Sequence, residues 1–304
     1  MVNSKNRAQL LIIAGYLIWS LDYSIYKYMF PAYINPMAMT MLTLVLSGVI
    51  CLLSFIWIRG ERVERRDVPV FAVAGLLMGV VKKGAMMVGM SDTTPIDAAI
   101  ISTLGPVMVM ILAAILRLDK LTARKIIGII LGVVGTLIIV VWGRSPESAP
   151  HRSIGNLIIL LSTFALSVYL VWARRIVKRY KVITLLRGVY IWSALFALPL
   201  TIYYWPHIDF SGFTSRAWCL FFYILLIPTL LPNYIVLNSL RYVNPTLVSV
   251  YSYIMPVFAI LLSVALGQDS LSWERAAACL MVFVGVNLVV RAYNPKSKKA
   301  ADGA

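Results

Sequence analysis

Apolar residues occur in ten long runs that are separated by short polar breaks. An α-helix that crosses a bilayer needs about 20 mostly apolar residues, so each run is long enough or nearly long enough to span a membrane. The predicted spans are 8–29, 37–58, 69–90, 94–116, 126–142, 154–173, 184–205, 217–238, 245–266 and 275–292. The pattern therefore predicts an all-α membrane protein with ten transmembrane helices.

The composition excludes an ordinary soluble domain. Hydrophobic residues make up 61% of the 304-residue chain and charged residues 13%, whereas soluble domains have roughly 45–50% and 25%. A soluble core could not hide so much apolar surface, and lipid is its natural solvent. The cysteines Cys51, Cys219 and Cys279 lie inside apolar runs without metal-ligand spacing, so no metal site is predicted.

The net charge of +16 follows the predicted topology. With the N-terminus inside, 21 of the 28 Lys and Arg residues fall on the inner side, and two more lie within the third span. Five fall outside, namely Lys27, Arg144, Arg152, Arg216 and Arg275. This bias is typical of cytoplasmic loops and predicts a multi-pass protein of a bacterial inner membrane with both termini cytoplasmic. It also argues against nucleic acid as a partner.

The chain contains an internal repeat. Residues 93–140 align without a gap on 243–290, an offset of 150, and the helices before them align less well at an offset of 147. The aligned pairs include Pro95 with Pro245, Pro106 with Pro256, Asp119 with Asp269, Gly135 with Gly285 and, at the second offset, Ser20 with Ser167. We predict two five-helix units, 1–145 and 151–293, followed by a cytoplasmic tail, 294–304. Because five is odd, the second unit enters the membrane from the opposite side, which makes an inverted repeat typical of transporters.

Several short motifs carry a resemblance to a known family. They are Trp19-Ser20 and Lys27, Pro106, the Leu118-Asp119-Lys120-Leu121-Thr122 turn before Gly128, Gly132 and Gly135, and in the second half Pro256, Gln268-Asp269-Ser270-Leu271 and Gly285. With the five-plus-five topology, the chain resembles EamA-type transporters of the drug/metabolite transporter superfamily. Members often have Glu where Asp119 and Asp269 stand, and an Arg near Thr43. The resemblance implies a small-molecule carrier, often an exporter of amino acids or related metabolites.

Lys82 and Lys83 lie beyond the middle of the third predicted helix. A lysine at the centre of a membrane helix costs about 2.5 to 3.5 kcal/mol, so it normally faces a wet cavity, a partner or a ligand. Snorkelling to the outer interface is the alternative. Asp22 in the first helix either neutralises Lys82 or binds a substrate ammonium or a coupling proton.

The eighth helix has prolines at 228 and 232, followed by Asn233. Two prolines four residues apart leave carbonyls unpaired, which is tolerable if protein or a water-filled cavity satisfies them. A kinked packing helix is the simpler interpretation. The offset of 150, continued back from Pro95 and Pro245, aligns Pro232-Asn233 with Lys82-Lys83. Equivalent positions of an inverted repeat flank the central cavity.

Polar and aromatic residues near the middle of other helices complete the prediction. The further substrate-binding candidates are Trp19, Ser20, Tyr169, Tyr251 and Tyr253. The candidate kink or gating residues are Pro106, Pro228, Pro232 and Pro256. Tyr and Trp are also common at membrane interfaces, where they act only as anchors.

We see neither a phosphate loop nor a nucleophile-base pattern, and no cofactor is expected. The leading hypothesis is a secondary transporter, an exporter or exchanger, that moves an amino acid, an organic anion or another small polar metabolite by alternating access. The lysines favour a carboxylate or phosphate on that substrate. The expected partners are this substrate, membrane lipid and a coupling proton. A lipid-handling or lipid-modifying protein is the alternative, and a scaffold or channel is a third.

Overall fold

The computed structural model describes residues 4–29, 33–58, 60–93, 98, 101–142, 151–265 and 273–293. They form helices, turns and short loops, and none of the described residues lies in a β-strand. Five helices among them are long and apolar enough to cross a membrane, Pro36–Leu53, Arg65–Met90, Ser153–Ile176, Val182–His207 and Ser215–Ser239. Gly105–Ile115, Pro245–Phe258 and Ala276–Ala292 are shorter and apolar. The predicted all-helical membrane class is confirmed at this level.

The helices are numbered along the chain. Their bounds are α1 Ser4–Met29, α2 Pro36–Leu53, α3 in three continuous pieces Val68–Gly75, Leu76–Gly84 and Ala85–Asp92, α4 Gly105–Ile115, α5 Ala123–Trp142, α6 Arg152–Ile176, α7 Val182–Tyr204, α8 Ser215–Ser239, α9 Pro245–Val250 continued by Tyr251–Tyr253 and Ile254–Ala265, and α10 Trp273–Ala292.

Local sequence signals fix several helix ends. The Asn35 side chain accepts hydrogen bonds from the backbone N–H groups of Met37 and Ala38, which caps α2 just before Pro36. The Thr214 hydroxyl caps α8 in the same way through Ala217 N–H, at 3.2 Å. These caps supply acceptors for N–H groups that have no partner inside the helix.

The helices pack in definite pairs. α5 packs along α10, α2 along α7, α1 against α8 and α9, α6 against α3 and α4, α7 also against α3, α8 also against α2, and α4 against α9. Glycines allow a close approach between α5 and α10. A Cβ on Gly128 would lie 2.7 Å from the Gly285 carbonyl oxygen, and one on Gly285 would lie 2.6 Å from that of Gly128. No other residue type fits this seam without moving the helices apart.

The loops gather at two ends. We call the basic end the part formed by 54–58, 60–67, 116–125, 174–187, 239–244 and Tyr293. Tyr180 and Arg179 contact Asp67 there, and Asn244 and Tyr293 contact Asp119. Ser239 also donates to the Ala8 carbonyl in the second turn of α1.

An aromatic cluster marks the opposite end. Tyr33, Phe210, Phe213, Trp218 and Phe221 pack around the start of α8. Thr93 and Asn156 form a hydrogen bond there between the chain after α3 and the start of α6. The loops that the charge pattern assigns to one side of the membrane therefore contact loops of the same side.

Candidate functional site

The centre of α8 contains Pro228 and Pro232, and a proline cannot donate a backbone hydrogen bond. The missing donors free the carbonyls of Ile224 and Pro228, because each N–H normally bonds the carbonyl four residues earlier. Thr229 Oγ1 donates to the Ile224 carbonyl at 2.8 Å, and Trp19 Nε1 of α1 donates to the Pro228 carbonyl at 2.9 Å. Protein side chains thus satisfy both carbonyls, as a membrane interior requires.

Asn233 lies one residue beyond this break and is buried. Its Nδ2 donates to the Tyr190 hydroxyl at 2.9 Å and to the Thr229 carbonyl at 2.8 Å. The Tyr190 hydroxyl donates to the same Thr229 carbonyl. This network ties α7 to the irregular part of α8. Sequence reasoning did not select Tyr190 and Thr229, because only the fold brings a tyrosine of α7 to the carbonyls around these prolines.

The middle piece of α3, Leu76–Gly84, is a π-helix, in which backbone bonds reach the fifth residue. Serines of two neighbouring helices bond carbonyls near its two ends. Ser193 of α7 donates to the Gly75 carbonyl at 2.8 Å, and Ser162 of α6 donates to the Lys82 carbonyl at 2.7 Å. A Cβ on Gly79 would lie 2.4 Å from Ser193 Oγ, so α7 can approach this closely only against glycine.

Lys82 and Lys83 occupy the last turn of this π segment, and both side chains are half-buried. π-helical turns occur frequently at functional sites. The structure thus places the two lysines on irregular backbone, as it does Asn233 in α8. The side chain of Asp22, the predicted partner of Lys82, lies outside the described residues.

The α-helical geometry of α9 is interrupted at Tyr251–Tyr253, just before Pro256. Tyr251 and Tyr253 are buried, and the Tyr253 hydroxyl donates to the Thr103 carbonyl at 3.0 Å. Thr103 lies in a turn just before Pro106, which is buried in the first turn of α4.

Two remaining candidates are buried within their helices. The Ser20 hydroxyl donates to the Leu17 carbonyl of its own helix at 2.7 Å. Tyr169 packs with its ring centroid 6.0 Å from that of Trp172. The structure thus joins Trp19, Pro228, Thr229 and Asn233 into one network, while Tyr169 and Ser20 are described only by these local contacts.

Arg187 was not among the predicted site residues, although it is the largest fully buried side chain in the described part of the chain. Its Nε donates to Ser54 Oγ at 2.7 Å, and its Nη2 donates to the carbonyls of Ser54 and Ile58. The guanidinium also lies 4.1 Å from the centroid of the Phe55 ring. The side chain thus caps the C-terminal end of α2 from α7.

Two clusters of paired charges stabilise the basic end. Asp67 accepts hydrogen bonds from Arg179 and from the Tyr180 hydroxyl, and burial together with this carboxylate raises the pKa of Tyr180 above its usual value. Lys125 and Asp119 form a buried ion pair, and the ammonium lies 4.0 Å from the centroid of the Tyr293 ring. Burial, with Asp119 nearby, likewise raises the pKa of Tyr293.

Clefts open at two places among the described residues, and each has a different lining. One, of about 370 Å³, lies at the basic end and is lined by Glu61, Val177, Lys178, Arg179, Tyr180, Lys181 and Arg241. The other, of about 430 Å³, is lined by apolar residues of α4 and α6. Neither cleft is lined by a predicted substrate-binding residue.

These features define a multi-pass membrane protein. It has long apolar helices, and protein side chains satisfy the backbone carbonyls at the irregular parts of α3 and α8. The model of the EamA-like transporter family matches residues 6–141 and again 153–291. The chain therefore belongs to the EamA-like transporter family, which confirms the predicted resemblance and makes the protein a membrane transporter of a small molecule.

Named relatives are distant but similar over most of their length. "Uncharacterized transporter YetK" of Bacillus subtilis (strain 168) is 23% identical over 85% of this chain and 79% of its own. "Uncharacterized inner membrane transporter YicL" of Salmonella typhimurium is 20% identical over 95% of this chain and 96% of its own. "Uncharacterized inner membrane transporter YedA" of Escherichia coli (strain K12) is 25% identical over 93% of this chain and 90% of its own. A solved structure described as "Crystal structure of protein" has a TM-score of 0.79 at 22% identity, covering 95% of this chain and 99% of that one, so the two share a fold.

Proposed function

We propose that the chain crosses the membrane ten times as an inverted repeat of 1–145 and 151–293, with both termini and the basic end in the cytoplasm. The packing supports this proposal, because exchanging each helix with the one five places away maps the nine pairs named above onto one another. Under this exchange the pair α1–α8 becomes α6–α3, the pair α1–α9 becomes α6–α4, and the pair α2–α8 becomes α7–α3. The pairs α2 with α7, α4 with α9 and α5 with α10 exchange into themselves. The smaller contacts of α9 with α5, α6 and α10 have no such match among the pairs found in the described residues.

Contacts between repeat-equivalent residues support an axis between the halves. Tyr253 bonds Thr103, and the two are 150 positions apart, which is the repeat offset. A residue can touch its own repeat counterpart only near the axis that relates them. The seam between α5 and α10 shows the same symmetry. Gly128 contacts Gly285, and their repeat counterparts, Ala278 and Gly135, contact each other.

The function that the geometry supports best is secondary transport of a small polar metabolite by alternating access, as an exporter or exchanger. One observation carries it. The two repeat-equivalent helices α3 and α8 are both irregular at matching positions, one through a π segment that bears Lys82 and Lys83 and the other through prolines followed by Asn233. Substrate sites of inverted-repeat carriers lie at such paired interruptions near the midplane.

The charge of these helices suggests the substrate class. The two lysines of α3 and the Asn233 amide of α8 favour a carboxylate or phosphate on the ligand, such as that of an amino acid or an organic anion. Asp22 in α1 is the proposed carrier of a coupling proton or the counter-ion of Lys82.

Proteoliposomes loaded with isotopically labelled amino acids and organic acids test this proposal, with mass spectrometry identifying what crosses the membrane. Lys82→Met keeps an apolar stem of similar length and removes the charge, so we expect normal folding and at least a tenfold loss of anion transport. Lys83→Met is the matched control, since adjacent side chains on a helix point in different directions around its axis. Asp22→Asn should change the pH dependence of transport if it carries a proton.

Size-exclusion profiles must first show that each variant is monodisperse. Wild-type rates in the Lys82→Met variant would sink the proposed substrate contact of Lys82 and favour snorkelling of its side chain.

A further inference from the structure

The cleft at the basic end lies between three loops. Glu61 comes from the chain between α2 and α3, residues 177–181 join α6 to α7, and Arg241 follows α8. The end of α6 and the loop after it are also joined to the segment after α8 by a reciprocal pair of bonds. Arg174 donates to the Leu240 carbonyl, and Arg241 donates to the Tyr180 carbonyl.

Most positive charge around this cleft is not neutralised. Arg241 lines the cleft, whereas Arg174 and Arg187 belong to the same basic end without lining it. All three donate to backbone carbonyls or a serine hydroxyl, and none pairs with a carboxylate among the residues that the structure describes. Arg241 Nε is buried and lacks a hydrogen-bond partner in the same part of the chain. A guanidinium that bonds carbonyls keeps its full charge, so its field extends into the space beside it.

The acid in the cleft does not compensate for this charge. Glu61 accepts the backbone N–H of Lys181 and the hydroxyl of Thr184, which holds the carboxylate at the start of α7. Arg179 is engaged with Asp67. Lys178 and Lys181 have exposed side chains at the rim of the cleft. The cleft thus holds at least two more positive than negative charges.

We propose that this cleft binds a phosphate-bearing anion that bridges the α6–α7 loop to the segment after α8. A phosphate group offers several acceptor oxygens and up to two negative charges, so it can engage Lys178, Lys181 and Arg241 at once. The phosphate belongs either to an anionic phospholipid headgroup or to a soluble ion. Basic pockets on the cytoplasmic side of helix bundles are known to suit the headgroup. Binding stabilises the form in which these loops are held together.

The purified, delipidated full-length chain in neutral detergent tests this site without any transport assay. One arm measures retention of phosphatidylglycerol against phosphatidylcholine by native mass spectrometry, and the other titrates inorganic phosphate by calorimetry. The cleft variant is Lys178→Gln with Lys181→Gln. The control is Lys120→Gln with Arg124→Gln, two exposed cations of the basic end that do not line the cleft.

We expect the wild type to bind at least one phosphate source, with affinity about tenfold lower in the cleft variant and changed less than twofold in the control. Retention of phosphatidylglycerol alone identifies the headgroup as the source, and phosphate binding alone identifies the soluble ion. Equal losses in both double variants, unchanged binding in the cleft variant, or a wild type that binds neither probe would overturn the proposal.

Discussion

At the residue scale, the turn after α4 shows how one position can hold stored strain. Arg117 has φ of 54°, in the left-handed region that side chains with a Cβ disfavour. The backbone N–H groups of Arg117 and Leu118 close the helix by bonding the carbonyls of Ala114 and Ala113, at 2.9 and 2.8 Å. This is the Schellman arrangement, which usually has glycine at the left-handed position.

Arg117→Gly should therefore raise the free energy of unfolding by about 1 kcal/mol, because glycine adopts this conformation without a steric penalty. Denaturation in mixed detergent measures the change. Arg117→Ala is the control, since it removes the charge and keeps the Cβ. Equal stabilisation by both substitutions would mean that charge, rather than backbone strain, is the cause.

At the element scale, the prolines of α8 and the indole of α1 form one unit. Pro232 frees the Pro228 carbonyl, and Trp19 satisfies it. The need for a donor could be predicted from the prolines. Its identity could not, because Trp19 and Pro228 are 209 positions apart and only helix packing brings them together.

A double-mutant cycle tests this pairing. Trp19→Phe should destabilise the wild type by about 1 kcal/mol, because a buried carbonyl loses its donor. In a Pro232→Ala background the restored backbone N–H should bond the carbonyl, so the same substitution should cost about half as much or less. Trp172→Phe serves as the control, with an equal cost in both backgrounds. Identical costs of Trp19→Phe would disprove the coupling.

The π segment of α3 shows where sequence reasoning ended. The hydrophobic run predicted a helix there, because a helix that crosses lipid must be apolar and must satisfy its own backbone. The π segment is accompanied by hydrogen bonds from Ser162 and Ser193, which approach from α6 and α7, and such contacts between distant helices are not visible in the sequence. Lys82 and Lys83 were selected because charge in an apolar run is visible in the sequence, while Arg187 was missed because it stands near a predicted helix end, where arginine is ordinary.

At the scale of the whole molecule, the seam between α5 and α10 joins the two halves through glycine. Gly128→Ala and Gly285→Ala should each lower the free energy of unfolding by about 1–3 kcal/mol, because the new Cβ would overlap a backbone oxygen. Thermal unfolding of purified protein measures the loss. Gly15→Ala is the matched control, since its nearest neighbour would lie 3.6 Å away, an ordinary contact. Alanine tolerated equally at all three positions would contradict the close packing.

The contact of Tyr253 with Thr103 has a consequence for the resting state of the transporter. In an inverted repeat, the inward-open and outward-open forms arise when the halves exchange roles, so identical halves would populate both forms equally. In the proposed inverted repeat Tyr253 is the counterpart of Thr103, and Lys82-Lys83 is the counterpart of Pro232-Asn233, so the two forms of such a carrier would differ in free energy. A difference of about 1.4 kcal/mol already gives a tenfold preference for one side. Under the proposed alternating-access mechanism, the chemical divergence of the halves would set the side of the membrane to which the empty carrier opens. Alkylation rates of cysteines introduced on each side would measure that ratio.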